Sequence, residues 1–155
     1  MKKLLLILVV IIFLVSCSPP LPDDEIKVLS GKNKEEWRQE LTEKEYKIMF
    51  EGGTEVPFAG DLLHNERKGI YISAGCGVPV FSSETKYDSG TGWPSFYDVI
   101  EENVILREDN SYGWNRIEVL SKCGEHLGHV FDDGPKPTGK RYCINSAALN
   151  FIEEQ

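Results

Sequence analysis

The sequence predicts a mainly antiparallel β domain behind a short helical arm, and three observations lead there. Beyond residue 53, short apolar or alternating runs recur between clusters of Gly, Pro, Asp and Asn. The helical signatures of the folded part lie upstream of those runs. No internal repeat or heptad pattern is present, which sets aside solenoids and coiled coils. The chain has 155 residues, 41% hydrophobic and 10% aromatic, enough for one globular domain with a core and too apolar for a disordered chain. With 25 acidic against 17 basic side chains its formal net charge is −8, which argues against a nucleic-acid backbone binder.

The N-terminus reads as an export leader. Met1-Lys2-Lys3 gives a positive start, Leu4 to Val15 is continuously apolar, and the small Ser16 precedes Cys17. The apolar run is shorter than the roughly 20 residues that span a bilayer. Leu14-Val15-Ser16-Cys17 resembles the bacterial lipobox, which implies a signal peptide over 1–16 and a lipid on Cys17 as the new first residue. A flexible tether rich in Pro and Asp is expected over 17–33, with the folded domain over 34–155. The protein is then expected in the cell envelope, lipid-anchored and facing the periplasm or the exterior.

Within the domain, Glu35 to Leu41 around Trp37 is a short helix candidate. Thr42-Glu43-Lys44-Glu45 is a capping box that opens a second helix through Tyr46, Ile48, Met49 and Phe50, and Gly52-Gly53 ends it. Strands are expected at Gly69 to Ser73, Val78 to Phe81, Val104 to Arg107, Arg116 to Leu120, His129 to Phe131 and Arg141 to Phe151.

Three segments carry chemistry. In Arg141-Tyr142-Cys143-Ile144-Asn145-Ser146, strand alternation puts Arg141, Cys143 and Asn145 on one face, where a cation and an amide favour a thiolate; a buried structural cysteine is the alternative. His126-Leu127-Gly128-His129 holds two of the three histidines, a pair better suited to moving protons than to binding metal, since no matching carboxylates or cysteines stand at metal spacing. Histidines satisfied beside a turn would look the same. In Asp88-Ser89-Gly90-Thr91-Gly92-Trp93-Pro94-Ser95-Phe96, a glycine-rich loop presents Trp93 either as a face for a partly positive methyl group or as a core aromatic.

Taken in order, the loop Gly90 to Phe96, the run His126 to Phe131 with Asp133-Gly134-Pro135, and Arg141 to Ser146 resemble the B-type methionine-R-sulfoxide reductase family. Trp37, Thr42, Gly53-Thr54-Glu55 and Pro57-Phe58 look like its N-terminal arm, so the resemblance runs from about Lys34 to Ile152. It implies two small antiparallel sheets, no organic cofactor, and repair of oxidised methionine. Cys143 would be the nucleophile, with Arg141 and Asn145 shaping its surroundings and His126 and His129 around the sulfoxide oxygen. Trp93 and Phe131 would form the methyl pocket, with Asp133 beside them on the substrate side.

The chain departs from that family in two places. The position of a common resolving cysteine holds Thr91, and the two Cys-x-x-Cys pairs of a structural zinc are each half lost, with Ser73 and Leu120 expected at the vacant positions. From the resemblance Cys76 and Cys123 should lie close together, and a structural disulfide between them is expected. Closing that loop stabilises by roughly 4 kcal/mol on the chain-entropy model. The competing expectation makes Cys123 the thiol that resolves Cys143. With Cys143 alone, the enzyme needs an external thioredoxin-like dithiol, no metal and no other cofactor. A monomer that binds oxidised proteins or methionine-R-sulfoxide, and no nucleic acid, is expected. The alternative class is a non-catalytic lipoprotein that binds oxidised methionine.

Overall fold

The computed structural model describes residues 30–155 except 114, together with residues 22 and 25. The expected leader, Cys17 and most of the tether lie outside the described residues. Among the described residues no helix is long and apolar enough to cross a membrane.

Two short helices open the domain, α1 (Lys34–Glu40) and α2 (Glu43–Glu51). Asn33 and Thr42 each close a capping box, the side chain of the cap accepting from the third helical N–H while a glutamate returns the bond. Gly52, with φ 67°, ends α2 in the left-handed conformation. Trp37 stacks on Phe50 at 5.6 Å and joins the two helices.

Among the described residues nine strands follow: β1 (Gly69–Ser73), β2 (Pro79–Ser82), β3 (Lys86–Tyr87), β4 (Ser95–Phe96), β5 (Val104–Asp109), β6 (Arg116–Ser121), β7 (His126–Phe131), β8 (Arg141–Ile144) and β9 (Leu149–Glu153). They form a three-stranded sheet of order β2-β1-β9 and a six-stranded sheet of order β3-β4-β8-β7-β6-β5. Every pair is antiparallel. The core between the sheets is aromatic: Phe81 stacks on Phe96 at 4.4 Å, Tyr71 meets Phe96 edge-on at 5.0 Å, and Tyr142 approaches Phe81 at 5.9 Å. Ile48 and Met49 of α2 join the same core.

The expected mainly β fold with two antiparallel sheets and a helical arm is the one observed, with three differences. The strand expected from Arg141 to Phe151 breaks into β8 and β9, which lie in different sheets, because a 3-10 turn at Ser146–Ala148 intervenes. The buried carboxylate of Glu55 accepts the backbone N–H groups of Ser146 and Ala147 and takes them out of any ladder. Next, β7 begins at His126 rather than His129, and its register against β6 slips by one residue near Leu120. That bulge re-aims the start of the strand. Finally, β3 and β4 are two residues each, too short to show alternation.

Cys76 and Cys123 are joined by a disulfide with Cα atoms 6.5 Å apart. Ser73 Oγ lies 3.4 Å and Ser121 Oγ 4.0 Å from Cys76 Sγ. The fourth position of this cluster is therefore Ser121, and Leu120, expected there, is 2% exposed in the core. Two thiols tied to each other and two hydroxyls do not make the donor set of a structural zinc. Among the described residues no group of three or more His, Cys, Asp or Glu is arranged to hold a metal ion.

Beside the disulfide sits Glu125, fully buried, accepting from Cys76 N at 2.5 Å and from Ser121 Oγ at 2.6 Å. Burial pushes its carboxyl above the ordinary value of 4.5, against the opposing hydrogen bonds of Ser121, Ser73 and Cys76. The folded state thus holds this proton more tightly than the unfolded chain. Its contribution to stability is complete below 4.5 and is lost as pH rises from there through the raised value. Thermal melts of the wild type and Glu125→Gln between pH 5 and pH 8 should show a smaller decline in the variant; parallel declines would refute the assignment.

Candidate active site

Antiparallel pairing puts directly opposed residues on the same face of a sheet. Cys143 of β8 is opposite Ser95 of β4 on one side and His129 of β7 on the other. His129 is opposite Glu118 of β6, and Glu118 is opposite Arg107 of β5. A polar row thus crosses the sheet on the face away from the aromatic core. The next row sets Arg141 against Phe131. Between β7 and β8 the backbones approach so closely that a Cβ on Gly128 would lie 2.1 Å from the Cys143 carbonyl oxygen, so this position accepts only glycine.

Two carboxylates anchor the two histidines. Glu118 receives Arg107 through Oε2, at 2.6 and 2.9 Å, and meets His126 Nδ1 through Oε1 at 2.6 Å. Asp109 Oδ2 meets His129 Nε2 at 2.8 Å and Arg116 Nη2 at 2.7 Å. Burial pushes both carboxyls up. For Glu118 the bonds from His126 and Arg107 outweigh it, and for Asp109 those from Ser111 and His129 do, so both stay below the ordinary carboxyl range. An ionised carboxylate only accepts, so the imidazole nitrogen facing it carries the hydrogen. The His126 Nε2 is buried and has no hydrogen-bond partner among the described residues. The rings lie edge to face at 5.3 Å. Burial, the neighbouring His126 and Arg116 hold His129 below its ordinary value, so it is neutral at pH 7.

Cys143 is the free thiol among the described residues. Sequence reasoning expected its thiolate to be favoured, and the structure corrects this. Burial pushes the thiol above its ordinary value of 9.0 and outweighs the lowering by Thr91 and Arg141. Arg141 is also engaged elsewhere, with Nε and Nη2 both 2.8 Å from the Asp133 carboxylate and its guanidinium 4.4 Å over the Phe131 ring. Asp133 therefore acts on Arg141 and does not line the cavity. Thr91 Oγ1 stands 3.8 Å from Cys143 Sγ.

A cavity of about 150 Å³ opens over Cys143, lined by Thr54, Trp93, Arg116, Gly128, His129, Phe131 and Asn145. It gathers Cys143, His129, Trp93, Phe131 and Asn145, while His126 lies just behind, 4% exposed. Asn145 differs from expectation in how it is used: it sits past the end of β8, its Oδ1 accepting from Glu55 N at 3.0 Å and its Nδ2 donating to Leu127 O at 3.0 Å. It is a strut between the arm and β7.

Thr54, Arg116, Glu55, Glu118 and Asp109 were missed by sequence reasoning. Glu55 holds Asn145 through its N–H, the 146–148 turn through its carboxylate, and the Trp93 indole, whose Nε1 donates to Glu55 O at 3.1 Å. A carboxylate between Thr54 and Val56 in a Gly- and Pro-rich segment gave no sign of burial. The pair Arg116 and Glu118, two apart on a strand, did carry the signal of a shared charged face.

The SelR domain family matches residues 41–153. The chain is 60% identical over 126 residues to the peptide methionine sulfoxide reductase MsrB of Methanosarcina barkeri, covering 80% of this chain and 89% of that protein. It is 54% identical over 126 residues to the protein of the same name from Leptospira interrogans, covering 80% and 96%. A further match is the mitochondrial methionine-R-sulfoxide reductase B3 of Mus musculus, 54% identical over 121 residues and covering 77% and 48%.

The thiol's environment is directly measurable. Alkylation of Cys143 by iodoacetamide should rise with pH to a midpoint above 9.0, and Arg141→Leu should move that midpoint higher by removing the nearby cation. A midpoint near 7 in the wild type would contradict the burial argument.

Proposed function

We infer the activity from family and site together: the chain belongs to the SelR-domain family, that of the B-type methionine-R-sulfoxide reductases, and it reduces methionine-R-sulfoxide to methionine. The observation that carries this is Cys143, the free thiol among the described residues, opposite His129 in a cavity walled by Trp93 and Phe131. The substrate methyl lies against the Trp93 face, where the partial positive charge beside the sulfoxide sulfur is attracted by the indole.

The chemistry follows from the resting proton. At neutral pH Cys143 is a thiol, so the proton that the sulfoxide oxygen must receive is already in the site. His129 and His126 pass it on: each ring has one nitrogen fixed by a carboxylate, leaving the other to take the proton and give it to the oxygen. Asp109 and Glu118 stabilise the transient imidazolium. Cys143 sulfur attacks the sulfoxide sulfur and forms an S–S bond; the protonated oxygen then passes to the cysteine sulfur as the S–O and S–S bonds to methionine break, leaving Cys143 as a sulfenic acid and methionine free. The sulfoxide gains two electrons and the cysteine loses two.

Cys76 and Cys123 are tied to each other, which supports recycling by an external dithiol rather than by an internal resolving cysteine. One thiol of that reductant attacks the sulfenic sulfur and releases water, and its second thiol closes its own disulfide and frees Cys143. The partner is a thioredoxin-like dithiol protein. The natural substrate is methionine-R-sulfoxide in oxidised envelope proteins, which a monomeric domain reaches from a lipid anchor at Cys17. The leader motif supports that placement.

Two variants test the thiol chemistry. With dithiothreitol as reductant, Cys143→Ser should give no turnover of methionine-R-sulfoxide, and activity retained there would refute the mechanism. In Thr91→Cys, one equivalent of substrate should convert the sulfenic acid into a disulfide between positions 91 and 143, seen as a loss of two thiols; a persisting sulfenic acid would place the loop farther from Cys143 than its 3.8 Å contact implies.

A further inference from the structure

The turn Val56 to Ala59, immediately after Thr54 and Glu55, is closed by the bond from Ala59 N to Val56 O. Pro57 takes its second position and Phe58 its third, where φ is 65°. Phe58 is the non-glycine residue with positive φ among the described residues. A turn of this kind asks for Gly or Asn at that place, and a bulky aromatic is a strained choice. The ring gains no burial in return: Val56 is 70% and Phe58 67% exposed, the highest values among the large apolar side chains described.

The turn is nonetheless held rigidly. Phe58 N donates to Gly92 O at 2.8 Å, and a Cβ on Gly92 would lie 2.9 Å from Pro57 and 3.0 Å from the Phe58 ring. Glu55 is clamped on one side of the turn and Gly60 is packed against Ser146 on the other. Thr54 and Trp93, which wall the cavity over Cys143, are the neighbours of these pinned segments in the chain. An apolar lip thus adjoins in the chain two residues that wall the cavity, preorganised and facing water.

We propose that Val56 and Phe58 form a docking lip for the polypeptide that carries the oxidised methionine, receiving an apolar side chain next to the sulfoxide residue. The proposal rests on the reductase activity inferred above. The cavity accommodates a single side chain, so a chain that delivers one there must lay its adjoining residues beside it; Thr54, two residues before Val56, lines the cavity, and Phe58 N is bonded to Gly92, the residue before Trp93. Exposed apolar groups held in a strained turn favour the fit of an extended, unfolded segment with apolar neighbours over a charged one. Free methionine-R-sulfoxide fills the cavity without reaching the lip.

The test compares a short peptide containing one methionine-R-sulfoxide flanked by leucines with free methionine-R-sulfoxide, using wild type, Phe58→Asn and Phe58→Asn with Val56→Thr. Asn suits the left-handed conformation, so the melting temperature should stay the same or rise. For the peptide kcat/KM should fall by roughly tenfold, the worth of one buried aromatic contact, while the free amino acid changes by less than about twofold. Aspartates in place of the leucines should lower the wild-type rate on the peptide and leave the variants indifferent to the change. Equal losses on both substrates, or no loss on the peptide, would overturn the lip. Failure of the wild type to reduce either substrate would instead overturn the activity on which it rests.

Discussion

The register of β7 against β8 sets Cys143 opposite His129, and the chemical face of the protein follows from that pairing. Because strand side chains alternate, the same register that turns Tyr142 and Ile144 into the aromatic core turns Arg141 and Cys143 outward. A slip of one residue would turn the thiol away from the histidines into the core and turn Tyr142 and Ile144 out of it. The row continues across the sheet as Tyr87, Ser95, Cys143, His129, Glu118 and Arg107, one residue from each strand. Gly128 fixes the register sterically, since no side chain fits between its Cα and the Cys143 carbonyl.

Burial and electrostatics compete at this site. Covering the thiol makes it a weaker acid, while Thr91 and Arg141 pull the other way and lose. The result suits a reaction that needs a proton and a nucleophile together, because the thiol stores both until a sulfoxide arrives. The carboxylates behind the histidines gain from the opposite balance: they are partly buried yet remain ionised, Asp109 through Ser111 and His129 and Glu118 through His126 and Arg107, and they fix which imidazole nitrogen faces the reaction. Glu55 joins the helical arm to this arrangement by holding Asn145, Trp93 and the turn after β8 at once.

The sequence was legible where a residue type has one physical use. The Thr42 capping box, the Gly52 stop and the strand at β1 appear where the pattern puts them. The pairing of Cys76 with Cys123 followed from the family resemblance and is present. What could not be read depends on tertiary contacts. The two-residue strands β3 and β4 exist only because β8 pairs with β4, and the break after Ile144 exists only because Glu55, some ninety residues earlier in the chain, takes the N–H groups of the next turn. Ser121 rather than Leu120 faces the disulfide, since Leu120 belongs to the core and the slip in register before β7 displaces simple counting. A thiol beside an arginine suggested an acidic cysteine. Only the packing around Cys143 and the grip of Asp133 on Arg141 show why it is not.

The central claim is that one thiol performs the reduction while the other two described cysteines stay paired. Intact mass and a thiol count on the folded domain, before and after one equivalent of methionine-R-sulfoxide, test it most directly. The account predicts one free thiol that becomes a sulfenic acid at Cys143, trapped by a dicarbonyl probe, with the Cys76 to Cys123 disulfide unchanged. Three free thiols falling to one on adding substrate would contradict it and make Cys76 or Cys123 the resolving residue.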